Sequence, residues 1–291
     1  MLTIDPKEIP VPKMHAYFLG AVVPRPVAFA STIDKSGNVN LSPFSFFNVF
    51  STNPPIMIFS PSRRVKDNTT KHSLQNVEEV PEVVINIVSY AMVQQASLAS
   101  TEYEKGVNEF VKAGFTPIPS LRVKPPRVAE SPVTFECKVN QVISLGSEGG
   151  AGNLVVCEVL LMHIKEDILN EQGRIDPHKL DAIARMGGDD YCRASGEAVF
   201  QVPKPIGRSG LGVDQLPEPV RKSKILTGND LGLLGNVEQL PNKASAEKIM
   251  EGEDVKRAFS KGEESIHQLA KQYIESGKVE DAWKILVAYY D

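Results

Sequence analysis

The sequence predicts a mainly β protein, an antiparallel barrel with flanking helices, followed by a C-terminal helical appendage. Three observations predict it. Strand-like runs follow one another from about residue 22 to 165, without the strand–helix alternation of a doubly wound sheet. One of them, over residues 133–140, alternates strictly between apolar and polar side chains. After about residue 200 the composition shifts to prolines and glycines and then to helical periodicity.

Taken in order, residues 27–33 form the first strand run. Asp34-Lys35-Ser36-Gly37-Asn38 supplies turn chemistry, and residues 39–43 continue as the return strand. The nearly all-apolar runs 56–59 and 83–88 suit buried strands. Helices are expected over 70–80, 92–100 and 108–113. Val133, Phe135, Cys137 and Val139 face one way, and Thr134, Glu136, Lys138 and Asn140 the other. The phase slips at Gln141-Val142-Ile143, which predicts a β-bulge. A glycine-rich stretch, 146–152, leads into a second long strand, 154–164, so the pair reads as a hairpin.

The expected organisation is a barrel domain over 1–200 and an extended segment with a helical tail over 201–291. Pro203, Pro205, Gly207, Gly210, Gly212, Pro217 and Pro219 mark the extended part. Helical stretches follow at 244–259 and 264–274. Residues 279–290 read as a closing amphipathic helix with Trp283, Leu286 and Val287 on one side.

Composition narrows the function classes. A net charge of -4 over 291 residues argues against nucleic-acid binding, which needs a basic excess. No apolar run approaches the roughly 20 residues that span a bilayer. The first thirteen residues carry Asp5, Glu8 and three prolines, with no basic start and no apolar stretch, so no secretory signal is expected and the cytoplasm is the expected compartment. Cys137, Cys157 and Cys192 form no C-x-x-C pair. The first two sit in apolar strand runs as small core residues, as expected of a reduced protein. The histidines (His15, His72, His163, His178 and His267) are scattered, which gives no case for zinc. No G-x-S-x-G elbow and no G-x-G-x-x-G fingerprint occur. Gly149-Gly150-Ala151-Gly152 joins strand to strand, whereas a phosphate loop joins strand to helix.

Two segments carry chemistry. Residues 42–48, S-P-F-S-F-F-N, pack three aromatics among small hydroxyls and an amide. They fit either a phenylalanine-filled core corner or a wall for a flat heteroaromatic ring. Residues 60–77, S-P-S-R-R-V-K-D-N-T-T-K-H-S-L-Q-N-V, place Arg63, Arg64, Lys66 and Lys71 before a helix start, interleaved with Thr69, Thr70 and Ser73. Ordinary capping with surface basics is one reading. An anion site at a helix N-terminus, with arginine as a bidentate fork, is the other. Together the two segments suit a phosphorylated flat cofactor, and so point to FMN.

Arg25-Pro26-Val27-Ala28, the turn with Asn40, S-P-F-S-F-F-N and Asn53-Pro54-Pro55, in this order, resemble the flavin reductase-like, flavoredoxin-type FMN-binding split barrels. The resemblance covers roughly residues 15 to 200. It implies a Greek-key split barrel and a homodimer with FMN near the subunit interface. It further implies that Ser42, Phe44, Ser45, Phe47 and Asn48 border the isoalloxazine. The family's K-D-T-L-x-N-I pattern is matched by Lys71-His72-Ser73-Leu74-Gln75-Asn76-Val77, with His72 in place of the acid and Ser73 in place of threonine. Lys71 and Ser73 thereby become the expected phosphate contacts, in preference to Lys66-Asp67. Arg25, Ser60 and Arg63 complete the cofactor-binding set. Arg185 and Tyr191, in the R-x-G-G-x-x-Y stretch 185–191, are expected near the open flavin face.

The implied activity is an NADH- or NADPH-dependent flavin oxidoreductase that passes hydride through FMN to an acceptor or a partner monooxygenase, with no side chain as catalytic acid or base. The alternatives are a non-enzymatic FMN electron carrier served by redox-protein partners, and a flavin-binding module. The related pyridoxamine-phosphate oxidase barrels fit the S-P-F-S-F-F-N pattern less well.

Overall fold

The computed structural model describes residues 1–205, 209–241 and 243–290. The chain divides into two compact units, Met1–Phe200 and Gln201–Asp291. Gly207, part of the expected extended segment, lies outside the described residues.

The first unit opens with α1 (Val11–Ala21) and the short β1 (Arg25–Pro26). β2 (Ala28–Ile33) and β3 (Val39–Phe44) form the expected first hairpin. Its turn is held by Asp34, whose carboxylate accepts from the Ser36 and Asn38 main-chain N–H groups, each at 2.9 Å. Gly37 takes φ +87°, where a side chain would be strained. β4 (Phe47–Thr52) and β5 (Pro55–Phe59) pair next, followed by α2 (His72–Glu79) and β6 (Glu82–Ile87). Two short helices, α3 (Val93–Leu98) and α4 (Glu109–Ala113), and the small β7 (Pro117–Ile118) and β8 (Arg127–Val128) pair lead into the long β9 (Val133–Ser144) and β10 (Asn153–Ile164). α5 (Pro177–Leu180), β11 (Ile183–Arg185) and β12 (Tyr191–Arg193) close the unit.

Among the described residues, one seven-stranded antiparallel sheet has the order β3-β2-β6-β9-β10-β5-β4. Only Ser45 and Phe46 separate β3 from β4, yet these strands are opposite edges and are not paired with each other. This is a split barrel of Greek-key type, with helices at its flanks. β1, β11 and β12 make a separate three-stranded sheet, in which Arg25 lies opposite Arg185.

Two local findings sharpen the sequence reading. Gln141 pairs with Val156 and Val139 with Cys157, so the bulged residue of β9 is Asn140, next to the expected slip. The polar face of β9 is not simply solvated. Thr134 and Glu136 are buried, Glu136 completely, because residues 119–128 lie across them. The Leu121 and Arg122 N–H groups donate to the Glu136 carboxylate at 2.9 and 2.6 Å, and His163 Nε2 lies 2.7 Å from it. Burial alone would raise this carboxyl, but the N–H donors and His163 outweigh it and hold it below the usual range. Cys137 and Cys157 are fully buried, and burial pushes the Cys137 thiol up to about 12.

The second unit contains α6 (Glu218–Arg221), α7 (Gly228–Gly235), α8 (Lys243–Ile249), α9 (Glu253–Lys261), α10 (Glu263–Glu275) and α11 (Val279–Tyr290). The single helix expected over 244–259 is broken at 250–252. Gly252 starts α9 there, and Glu253 and Asp254 follow in its first turn, where they complement the helix dipole. α7 begins at a capping box between Thr227 and Asp230. α11 is more deeply set than a surface amphipathic helix, with no exposed residue from Asp281 to Tyr290. Its Trp283 packs in the core of this unit with Leu286, Ile266, Val255 and Leu234, and its indole N–H donates to the Leu234 carbonyl at 2.9 Å. No helix among the described residues is long and apolar enough to cross a membrane.

Candidate functional site

A polar corner forms where β3, the loop before α2 and the segment after α3 meet. It is lined by Asn40, Ser42, Arg64, Lys71, His72, Ser73, residues 100–103 and Glu109. α2 is fixed there by its apolar face. Leu74 and Val77 are buried in the barrel core, and Asn76 donates to Thr32 Oγ1 at 3.1 Å. Ser73 is buried and accepts from Asn40 Nδ2 at 2.9 Å, which ties the helix start to β3. Lys71 occupies the N-cap of α2 and supplies no side-chain acceptor, so the positive end of the helix faces the corner.

Cations gather on one point. Arg64 Nε lies 2.8 Å from Glu102 Oε1, Lys66 Nζ 2.6 Å from Oε2, and Lys71 Nζ 3.7 Å from Oε1. Arg64 also donates to Thr69 Oγ1 and to the Thr70 carbonyl. Bonds from Lys66 and Arg64 hold the Glu102 carboxyl down at about 2. Burial and the Arg64 charge lower the Lys71 ammonium from its ordinary value. Burial, with Arg64, Lys105 and Lys71 nearby, lowers His72, which is therefore neutral at pH 7.

The basic loop is braced from the β9–β10 turn. The Arg63 N–H donates to the Ala151 carbonyl at 2.8 Å, and the Gly150 N–H returns a bond to the Arg63 carbonyl at 3.0 Å. A Cβ on Gly149 would sit 3.0 Å from the Val65 carbonyl oxygen, and one on Gly152 2.8 Å from Ser60 Oγ. The glycine run thus lets two loops nest at main-chain distance. Arg63 faces away from the corner, with its guanidinium spent on Asn68, donating to the side-chain and main-chain oxygens at 2.6 Å. Ser60 accepts from the Asn153 N–H at 3.1 Å and belongs to the same brace.

The S-P-F-S-F-F-N segment is split between interior and surface. Phe44 is buried in the core, 5.3 Å from Phe59 between ring centroids, and Phe47 packs against the same core. Phe46 is the more exposed ring, and lies edge-on to His15 of α1. Asn48 is exposed and accepts from the Val49 N–H. Ser45 lies 3.5 Å from Arg25 Nε. Arg25 is buried and clamps two chain segments by donating to the carbonyls of Leu19 and Val22, at the end of α1, and of Met186. Burial, and then Arg185, lower its guanidinium from the ordinary value.

Arg185 and Tyr191 line a different cavity of about 340 Å³, together with Tyr90, Gln94, Cys192 and Arg193. Arg185 lies over the Tyr191 ring at 4.8 Å and donates to its hydroxyl. Arg193 lies over Tyr90 at 4.0 Å while paired with Asp181 through two bonds.

The structure therefore brings Ser42, Lys71 and Ser73 together in the corner and sets Arg185 and Tyr191 apart from them. Arg25 and Ser45 form a clamp, Phe44 and Phe47 a core wall, and Ser60 and Arg63 a loop brace. Glu102 and Glu109 are corner residues that sequence reasoning did not name, while Arg64, Asn40 and His72 were named in their motifs but left out of the expected cofactor-binding set. Successive residues in an extended segment point opposite ways, so only one arginine of the Arg63-Arg64 pair can face the corner. No local signal says which.

Comparison with known proteins matches the first unit. The family model described as flavin reductase like domain matches residues 19–179. The chain is 38% identical over 196 residues to a protein of Aquifex aeolicus, covering 67% of this chain and 97% of the relative. Nitrilotriacetate monooxygenase component B from Bacillus cereus superposes with a TM-score of 0.65 at 30% identity, over 69% of this chain and 98% of that one. A protein with a split barrel domain from Shewanella frigidimarina superposes with a TM-score of 0.58 at 22% identity, over 70% of this chain and 100% of that one. The helical unit after residue 200 lies outside the family match.

Proposed function

From its membership of the flavin reductase-like family, we propose that this chain binds FMN and works as an NAD(P)H-dependent oxidoreductase, passing reducing equivalents to an acceptor or a partner monooxygenase. The observation that carries this reading is the convergence of Arg64, Lys66 and Lys71 on a single anionic point, beside Asn40, Ser42 and Ser73. That donor set fits a phosphate ester, with a guanidinium fork, two ammonium groups, hydroxyls and a helix N-terminus on one side. A zinc or a nucleotide loop would need different residues.

Bound there, FMN would supply the transfer of hydride and electrons between a reduced nicotinamide and an acceptor. The chain's own residues then have defined tasks. Lys71, Ser73 and Arg64 hold the phosphate, and His72 adds a hydrogen-bonding group. Ser42 and Asn40 line the path away from the phosphate along β3. Phe44 and Phe47 stiffen the 42–48 segment from within, Phe46 offers an apolar surface, and Arg25 fixes Ser45 beside it. Arg185 and Tyr191 serve the second cavity, where a flat partner can approach. No side chain is assigned a proton-transfer role.

A second copy of the chain belongs to this reading. The edge strand β4 exposes Val49 and Phe50, at 55% and 64%, and α1 buries none of its residues although it carries Tyr17 and Phe18. Exposed apolar surface of this kind marks an interface, and we place FMN near it in a homodimer. Three free thiols suit a reducing compartment, the cytoplasm.

The test is the visible spectrum of the purified protein with FMN, before and after anaerobic NADH or NADPH. Bleaching of the flavin at a rate set by protein concentration is expected. A bound flavin that stays oxidised under excess of both nucleotides, yet is reduced by a redox protein, would make the chain an electron carrier instead.

A further inference from the structure

We infer that Glu102 sets flavin affinity as an internal competitor: its carboxylate occupies the place of a phosphate and must swing out before a phosphate monoester can engage Arg64, Lys66 and Lys71. The inference rests on the flavin reading above and concerns the same corner.

Glu102 touches all three cations, at 2.8, 2.6 and 3.7 Å. Around that cluster the corner leaves a cavity of about 20 Å³, room for about one water and too little for a phosphate group. The space and the charge that a phosphate needs are therefore both taken. The acid is also free to leave. Its side chain is 44% exposed, and ion pairs at that exposure are weak. Glu102 lies between α3 and α4, while its neighbours are tied down: Thr101 donates to the Leu98 carbonyl and the Tyr103 N–H to the Thr101 carbonyl. Release is then a rotation of one side chain, with no loop opening.

Other acids do not play this part. Asp67 is turned to Thr69, accepting from its hydroxyl and its N–H at 2.7 and 3.0 Å. Glu109 also lines the corner but is buried and accepts from the Leu41 N–H at 2.9 Å. A phosphate that enters must displace the Glu102 carboxylate and remain near it as a like charge. The consequence is narrower discrimination between FMN and riboflavin than three unopposed cations would give, and a flavin that exchanges more readily.

The experiment measures dissociation constants of FMN and riboflavin, by quenching of flavin fluorescence, for the full chain and for Glu102→Gln and Glu102→Asp. For Glu102→Gln, the FMN constant is expected to fall about tenfold, the order of two like charges near contact in a solvent-exposed site. Riboflavin, which lacks the phosphate, should be unchanged, and the gain should shrink at high salt. Glu102→Asp, which keeps the charge, should stay near the parent. Inorganic phosphate should displace FMN from Glu102→Gln at lower concentration than from the parent. Unchanged FMN binding, equal shifts for both flavins, or weaker FMN binding in Glu102→Gln would each overturn the competitor role. If neither flavin binds any of these proteins, the flavin reading itself fails. Binding of both without a charge effect sinks only the inference.

Discussion

Two carboxylates in the barrel unit are each held by several donors and have opposite consequences. Glu136 is fully buried beneath residues 119–128, bonded to two main-chain N–H groups and His163, with Arg127 3.8 Å away. Glu102 is held by Arg64, Lys66 and Lys71 but remains 44% exposed. Water decides the difference. A buried carboxylate left without its donors, or donors left without it, has no solvent to fall back on, so the cluster is scaffold. An exposed cluster can exchange its anion for another, so it can be a site.

The largest effect that would break this contrast is at Glu136. Glu136→Ala should lower the unfolding free energy by about 3–5 kcal/mol, because it orphans buried donors. A urea midpoint near the parent's would show that the nest is dispensable. Next comes Lys71→Ala. It should weaken FMN by about ten- to a hundredfold, the worth of one charge-assisted bond, and leave riboflavin binding nearly intact. A matching loss for riboflavin would mean that the corner collapses when the lysine goes.

Gly152→Ala is smaller. The added methyl meets Ser60 Oγ at 2.8 Å, and forcing the two loops apart should cost about 1–2 kcal/mol, read from the shift in thermal midpoint. Acid titration gives the finest comparison. The folded pKa of Glu136 is depressed, so its stabilisation is complete above the unfolded carboxylate value near 4.5 and is lost as pH falls from there through the lower folded value. Glu136→Gln should flatten that part of the stability profile. Glu102→Gln, although its carboxyl also lies low, should leave the profile unchanged within error because solvent screens it. Equal flattening by both would erase the distinction.

The sheet was legible wherever side-chain alternation reports on burial. The 133–140 period, the Asp34–Asn38 turn and the β9–β10 hairpin all follow from local chemistry. β4 was hidden inside a segment read for its aromatics, and α1 behind Pro10 and Pro12, which suit a helix start as well as a loop. The site was half legible. Lys71 and Ser73 stand at a helix start that the sequence marks. Glu102 joins the corner from 36 and 38 residues away from Lys66 and Arg64, and only tertiary folding brings a carboxylate across that separation. The same holds for Glu136, whose polar neighbours in the strand suggest solvent until the 119–128 segment is laid over them.

The chain contains a single tryptophan, and it sits at the centre of the helical unit with its indole N–H on the Leu234 carbonyl. Its emission therefore reports on residues 201–291, whereas the tyrosines are shared between the units, with Tyr17, Tyr90, Tyr103 and Tyr191 in the first and Tyr273, Tyr289 and Tyr290 in the second. Tryptophan is thus a built-in label of one unit, while the far-ultraviolet signal sums over both. A denaturant titration followed by tryptophan emission and by circular dichroism together would resolve, without any added dye, whether the two halves melt as one body or in turn.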